Sequence, residues 1–258
     1  MSANNFSAVI ITHRQDQRLK KTLNSISFAD EVVVIDHRPK KTDWPQWLKP
    51  DQIKILPYPQ PINNFAQIRN WAMDQTKHDW VLFIDSDEWF QDPKLAQQLI
   101  KSVLNQPKKA WKIQRQDLFL GHYLNFGEAG KQWHTRLINK KYSQFTRPVH
   151  EVIETDGPVG RLSLKLIHQA HLSLTEFWND ISRYAALEAE YRHLNSSHQS
   201  LIKIFIKLVT FPPAKFCLNY FFKLGLLDKK PGLIYALMMS LHSALVRIFQ
   251  LELILKKQ

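Results

Sequence analysis

The stretch DWVLFIDSDEWF, residues 79–90, decides how the first half of the chain folds. Residues 80–84 are a continuous apolar run of the length of a buried strand, and the run stops at three acids within four positions, Asp85, Asp87 and Glu88. Asp92 followed by Pro93 then opens a helix, since Asp caps and Pro is tolerated at the first helical position. The acids therefore sit on a strand-to-helix loop at a carboxyl strand end, where open α/β sheets bind ligands. Like charges at the mouth of a core repel one another. A divalent cation relieves that cost, and hard oxygen ligands suit Mg²⁺ or Mn²⁺, which commonly bind one or two carboxylates together with substrate phosphates. The plain alternative is a solvated loop whose acids cap the next helix, but Asp92 already supplies that cap.

Upstream the same alternation recurs. SAVIIT (residues 7–12) reads as a strand, Leu19, Leu23 and Ile26 mark one helical face, and EVVVID (31–36) and IKIL (53–56) read as two more strands. Residues 65–75 have helical composition, with Asn63 or Asn64 as N-cap. The expectation is an α/β fold with a mostly parallel sheet and helices on both faces. From 110 to 166 the pattern is more β-like and irregular. Ser173 with Glu176 three residues on predicts a capping box opening a helix over 174–194. NSSHQS (195–200) reads as a linker, followed by two amphipathic segments, 201–227 and 232–255. The boundary expected from this pattern sets a catalytic domain at 1–198 and a helical extension at 199–258.

The chain has 258 residues, 44% of them hydrophobic, enough for one large α/β domain or a medium domain with an appendage. A single cysteine, Cys217, excludes an internal disulfide, and the N-terminal residues lack the pattern of a secretory signal, so a cytoplasmic location is expected. The formal charge of +12 calls for an anionic partner. Residues 201–258 hold nine basic side chains against two acidic ones, so +7 of the excess lies in the greasiest quarter of the chain. That coincidence favours an anionic membrane surface over nucleic acid. Lys203 and Lys207 share one helical face, Pro212 and Pro213 are expected to break the helix, and His242 and Arg247 make membrane insertion of 232–249 costly. A helix lying in the interface fits better. The bland rival is a helical subdomain packed on the chain itself or on a second subunit.

The segments AVIITHR (8–14), ADEVVVIDH (29–37), NNFAQIRNWAMDQTKHDWVLFIDSDE (63–88), RPVHEVIE (147–154), LIHQAHLSL (166–174) and FFKLGLLDKKPGLIYALMMSLHSALVRI (221–248) together resemble the GT-A glycosyltransferases of family 2. Within that family they are similar to the small bacterial enzymes of lipopolysaccharide and lipooligosaccharide core synthesis. The resemblance implies a Rossmann-like GT-A fold and a DxD motif in which Asp87 ligates a Mg²⁺ or Mn²⁺ ion and Asp85 contacts the ribose or donor sugar. It implies that Asp36 binds the uracil-ribose part, that Thr12 begins the loop beneath the base, and that Arg69 reaches the donor phosphates or orders the acids. Arg136 would pair with a phosphate or carboxylate on donor or acceptor. His168 would complete the metal shell, with His171 as the near alternative. Where the family has a small-residue turn after the strand-end acid, this chain has DHRPKKTD (36–43), so the base-contacting loop differs.

Inverting transfer needs a carboxylate to take the acceptor proton, and Glu151 aligns with the acid of the family's His-Glu pair. Its alternative is a salt bridge to Arg147 or Arg161. The resemblance implies transfer of one hexose, glucose from UDP-glucose, to a lipid A-core heptose by a peripheral enzyme on the inner face of the inner membrane, with no nucleic acid partner. Two rivals belong to other classes. A nucleotidyltransferase would need a Gly-rich basic loop after the first strand, and THRQDQR has no glycine. A membrane-surface scaffold with a degenerate fold would not need the acids.

Overall fold

The computed structural model of the chain describes residues 5–38, 43–45, 53–58, 64–147, 152–195 and 200–256. They divide into two compact units, Met1–Arg115 with Gln132–His168, and Gln116–Lys131 with Gln169–Gln258.

The first unit opens as the hydrophobic pattern dictates: β1 (Phe6–Thr12), α1 (Gln17–Ser25), β2 (Glu31–Asp36), β3 (Lys54–Pro57), α2 (Phe65–Asp74) and β4 (Trp80–Phe83). After it come β5 (Glu88–Phe90), α3 (Pro93–Val103) and β6 (Ala110–Phe119). Strands β1, β2 and β4 are buried almost throughout, as parallel strands covered on both faces must be, while β3 at the sheet edge is half-buried to exposed. β1 runs parallel to β2 and β4, and β2 to β3. Beyond β4 the sheet turns antiparallel, through β8 (Gln132–Asn139), β6, β11 (Val159–His168) and β5, giving the order β3-β2-β1-β4-β8-β6-β11-β5. A separate ribbon pairs β9 (Ser143–Thr146) with β10 (Val152–Thr155). The chain is thus mixed α/β, with its parallel half first.

Helices cover both faces. Leu19, Leu23 and Ile26 from α1 and its end, and Ala96, Ile100 and Val103 from α3, pack with Phe6, Ala8 and Ile10 on one side. Ala66, Ile68, Ala72 and Met73 of α2 pack with Val9, Val33 and Phe83 on the other. Alternate residues of β1 face opposite ways, so one strand feeds two cores. The caps follow the sequence: Asn64 accepts from the Gln67 N–H at 3.2 Å and Asp92 from the Leu95 N–H at 3.0 Å.

The second unit holds the short strand β7 (His122–Tyr123), paired with the end of β6, and three helices, α4 (Leu174–Leu194), α5 (Leu201–Cys217) and α6 (Lys229–Leu255). Its core joins Phe119, Leu124 and Ala129 to Phe177 and Ile181 of α4 and Met238 of α6. This division differs from the boundary expected at 198/199, because the apolar face of α4 packs with the later helices. Ser173 caps α4, accepting from the Glu176 N–H at 3.1 Å, while the Glu176 carboxylate returns to the Leu172 N–H at 2.7 Å. The expected break at Pro212 and Pro213 does not occur: α5 runs through both. The prolines offer no N–H to the carbonyls of Leu208 and Val209, but α5 packs along α6 and Ser240 donates to the Pro212 carbonyl at 2.8 Å. Tertiary packing overrides the local preference here.

A candidate active site at the end of strand β4

At the carboxyl end of β4 the chain tightens into a closed loop: the Glu88 N–H donates to the Asp85 carbonyl at 3.0 Å, and the Asp85 N–H donates to Glu88 Oε2 at 3.2 Å. Glu88 is 0% exposed. Its other oxygen accepts from the Arg136 guanidinium at 2.5 Å, and the same Arg136 nitrogen donates to Asp85 Oδ2 at 2.8 Å. Arg69, one turn into α2, reaches Asp85 Oδ1 at 3.2 Å. Arg69 is held over the rings of Phe83 and Phe145, with centroids 6.0 and 5.5 Å from its guanidinium carbon, and those rings meet edge to face. Its neighbour Asn70 exchanges two 2.9 Å hydrogen bonds with the Phe145 backbone, tying α2 to β9.

Two acids and two guanidinium groups thus form one network, and burial decides how it titrates. Burial opposes ionisation of Asp85, yet Arg136 and Arg69 outweigh it and hold the carboxyl far below the usual carboxylate range. Glu88 goes the other way. Complete burial pushes its carboxyl up, Arg136 opposes, and Asp85 and Asp87 add to the rise. Arg136 is held firmly charged: the two carboxylates outweigh its burial.

Asp87, between Asp85 and Glu88 in the chain, approaches His168 instead, with Oδ1 to Nε2 at 3.9 Å. His168 ends β11, whose pairing with β5 sets it opposite Glu88. Asp87 and His168 offer one carboxylate and one imidazole to a common point, a donor set that fits a divalent ion whose other ligands are diphosphate oxygens and water. Among the described residues no group of three or more His, Cys, Asp or Glu side chains gathers to hold an ion by itself. His171 lies 3.3 Å from Asp180 and stacks on Phe177 within the second unit.

Thr12 and Asp36 are register partners at the ends of β1 and β2. The Thr12 hydroxyl accepts from the Arg14 N–H at 2.9 Å. Asp36 is gripped by Arg38, with Nε to Oδ1 at 2.8 Å and Nη2 to Oδ2 at 2.7 Å, and Arg38 in turn lies 4.1 Å from the Trp44 ring centre. Burial opposes ionisation of Asp36, and Arg38 more than compensates, so its carboxyl lies below the usual range. Here the departure of DHRPKKTD from the family's small-residue turn becomes physical: the acid carries its own guanidinium. Glu151 lies outside the described residues. Sequence reading had no role for Glu88, Asn70 or Arg38, although Glu88 stood among the three acids and Asn70 beside Arg69.

Next to the acids a cleft of about 580 Å³ opens between β6, β8 and the β9–β10 ribbon, lined by Arg69, Asp85, Arg136, Lys112, Arg115 and Trp133 among others. It lies wholly within the first unit.

Residues 7–108, which carry β1 to β5 and the acidic loop, match the model of glycosyl transferase family 2. Over that segment the chain is similar to the family 2 glycosyl transferases. A lipopolysaccharide core biosynthesis glycosyltransferase, LpsC of Rhizobium meliloti, is 25% identical over 224 residues, 83% of this chain and 80% of the relative. An uncharacterised glycosyltransferase of Rickettsia bellii is 22% identical across 95% of this chain and 87% of its own length. Among solved structures, S. aureus TarS 1–349 in complex with UDP-GlcNAc superposes with a TM-score of 0.44 at 14% identity, over 98% of this chain and 92% of that one. The acids, Arg69 and the end of β4 all fall inside the matched segment. Arg136 and His168 fall after it, and the antiparallel strands bring them back to the same loop.

Proposed function

We propose that the chain transfers one hexose from a UDP-sugar to a lipopolysaccharide core acceptor, with inversion, at the cytoplasmic face of a membrane. The observation that carries the reading is the acidic loop at the end of β4, split into two chemical halves within a family 2 segment: Asp85 neutralised by two arginines, and Asp87 facing His168. Asp87 and His168 would hold Mg²⁺ or Mn²⁺, and such an ion would offset the charge that grows on the departing diphosphate. Arg136 and Arg69 fix Asp85 in its ionised form, ready to accept from sugar or ribose hydroxyls. Thr12 and Asp36 would mark the nucleotide side, beside which Arg38 lies against the Trp44 ring. Glu151 takes the proton of the attacking acceptor hydroxyl as the new C–O bond forms at the anomeric carbon and the bond to UDP breaks. Glucose as donor and a heptose of the lipid A core as acceptor follow from the resemblance, and the core acceptor is supported by the LpsC relative.

Titration calorimetry of UDP with Mn²⁺ and a UDP-release assay with a core lipooligosaccharide acceptor test this together. Asp87→Asn should abolish metal-dependent UDP binding while the fold survives, because a like charge leaves the loop. Glu151→Gln should keep UDP affinity and lower turnover by about 10²–10⁴-fold. If wild type and Asp87→Asn bind UDP alike, Asp87 is no metal ligand; if wild type releases no UDP from any UDP-sugar, the chain is a scaffold.

A further inference from the structure

The acid that ends β2 has two claims on it. In the glycosyl-transfer reading Asp36 accepts from the nucleoside of the donor, yet in the folded chain its carboxylate is already engaged. Oδ1 accepts from the Arg38 N–H at 3.0 Å and from Arg38 Nε at 2.8 Å, and Oδ2 accepts from Arg38 Nη2 at 2.7 Å. The spacing makes this possible: an Asp side chain readily takes the backbone N–H two residues on, and the guanidinium fork of that same residue then closes on both oxygens. The pair is shut in, with 9% of the Asp36 side chain and 7% of the Arg38 side chain exposed, and the Trp44 ring lies against the guanidinium.

The sheet order shows what the pair stands across. Thr12 and Asp36 end adjacent parallel strands, and β4, which leads into Asp85 and Asp87, lies on the other side of β1. Neighbouring strands are about 4.8 Å apart, so the ends of β2 and β4 are separated by roughly 10 Å, a distance that a nucleoside joined to a diphosphate can span. A donor lying along these strand ends must take Asp36 from Arg38. Ribose hydroxyls are neutral donors, and a charge-assisted fork is roughly twice as strong as a neutral hydrogen bond. A nucleoside that displaced the fork would also leave a buried guanidinium without its counter-ion. A diphosphate removes that second cost, because its oxygens can receive the guanidinium that Asp36 gives up.

We propose that Arg38 is a specificity residue: it holds Asp36 closed to nucleosides and yields it to a nucleoside diphosphate, its guanidinium passing from the Asp36 carboxylate to the phosphate oxygens of the donor. The assignment rests on the nucleotide position given to Asp36 above and adds to it the device that admits the donor.

The full chain with ¹⁵N-labelled arginine is titrated with uridine and with UDP in the presence of Mg²⁺, and the Arg38 Nε–H signal, assigned by its loss in Arg38→Lys, is followed. UDP should shift that signal, and uridine at equal concentration should leave it in place. Arg38→Lys keeps the charge and loses the fork, so uridine should bind the variant about tenfold or more tightly than wild type, and the preference for UDP over uridine should shrink by the same order. If the variant does not fold, the signal is assigned through its bonds to the Arg38 backbone and the wild-type titration decides alone. A signal unmoved at UDP saturation, a signal that moves equally with uridine, or a UDP preference unchanged in Arg38→Lys would overturn the proposal and leave the donor reading standing. Calorimetry in the same buffer reports on that reading separately: if wild type binds no UDP, the donor reading falls and the role of Arg38 falls with it.

Discussion

Glu88 shows what the buried network is for. Replacing a buried ion pair by neutral groups of the same shape is often neutral or stabilising, whereas the geometry it fixes is lost. The folded-state pKa of Glu88 is raised above its ordinary value of 4.5, burial being the largest cause. Below 4.5 the carboxyl is protonated folded or unfolded and contributes nothing to the pH dependence. As pH rises from there through the raised folded value, the native state holds a proton that the unfolded chain releases, so stability falls. Glu88→Gln imitates the protonated form at every pH. It should match wild type near pH 4.5 and become the more stable of the two as pH rises from there. Transfer should nonetheless fall by about tenfold or more, since Arg136 loses one of the two carboxylates that aim it at Asp85. Urea unfolding at several pH values, with turnover beside it, measures both. A variant that loses ground to wild type as pH rises would show that Glu88 is kept ionised as the counter-ion of Arg136. Asp85 has the opposite sign: its depressed pKa gives a contribution complete above 3.8 and lost only as pH falls toward the folded value, so acid should loosen the loop through Asp85.

Among the elements, those set by local chemistry were legible and those set by distant pairing were not. The alternation of β1, β2 and β4, the Asp92 and Asn64 caps and the Ser173–Glu176 box all act within a few residues of where they are written. They gave the parallel half of the sheet and placed Asp85, Asp87 and Asp36 at strand ends. The cleft was not readable in this way. Lys112 meets Thr135, and Gln114 meets Trp133, only because β6 pairs antiparallel with β8 across an irregular register near Trp111. Nor could the side-chain grip of Arg38 on Asp36 be read from DHRPKKTD, beyond the sign that the turn was unusual. The prolines of α5 failed as stop signals for the reverse reason, since the local rule was clear and packing against α6 overrode it. Pro213→Ala restores a donor for the Val209 carbonyl and removes the ring from the helix interior. It should raise stability by about 1–3 kcal/mol, read as a higher midpoint in thermal unfolding followed by circular dichroism. A lower midpoint would mean that the shape imposed by the prolines is itself needed for packing along α6.

At the scale of the whole molecule, the charge and the exposed apolar surface of the second unit argue together for a membrane. Ile202, Phe205, Ile206 and Val209 form an i, i+3, i+4, i+7 stripe on α5 that faces out, while Ile204 alone of that helix is buried. The turn to α6 exposes Phe221, Phe222 and Leu227, with Phe222 79% exposed. Lys203, Lys207, Lys223, Lys229 and Lys230 stand exposed among them. Contiguous apolar surface of this kind marks an interaction site, and its lysines select an anionic one. The segment Gly225–Leu255 is long and apolar enough to cross a bilayer, but only a third of its most apolar stretch is buried in the chain, and its Arg247 is buried against Phe211. Spanning would strand that cation in hydrocarbon, so the helices should lie in the interface. The chain should therefore cosediment with vesicles containing phosphatidylglycerol, and raised salt should weaken the binding without eliminating it, because the apolar part is not screened. Phe221→Ser with Phe222→Ser should remove the salt-resistant fraction. Lys203→Gln with Lys207→Gln should weaken binding at low salt only, each basic residue near an anionic surface contributing about 1 kcal/mol. Equal binding to neutral and anionic vesicles at low salt would sink the electrostatic half of this account. A chain that ignores vesicles but sediments as a dimer would assign the same apolar stripe to a second copy of itself.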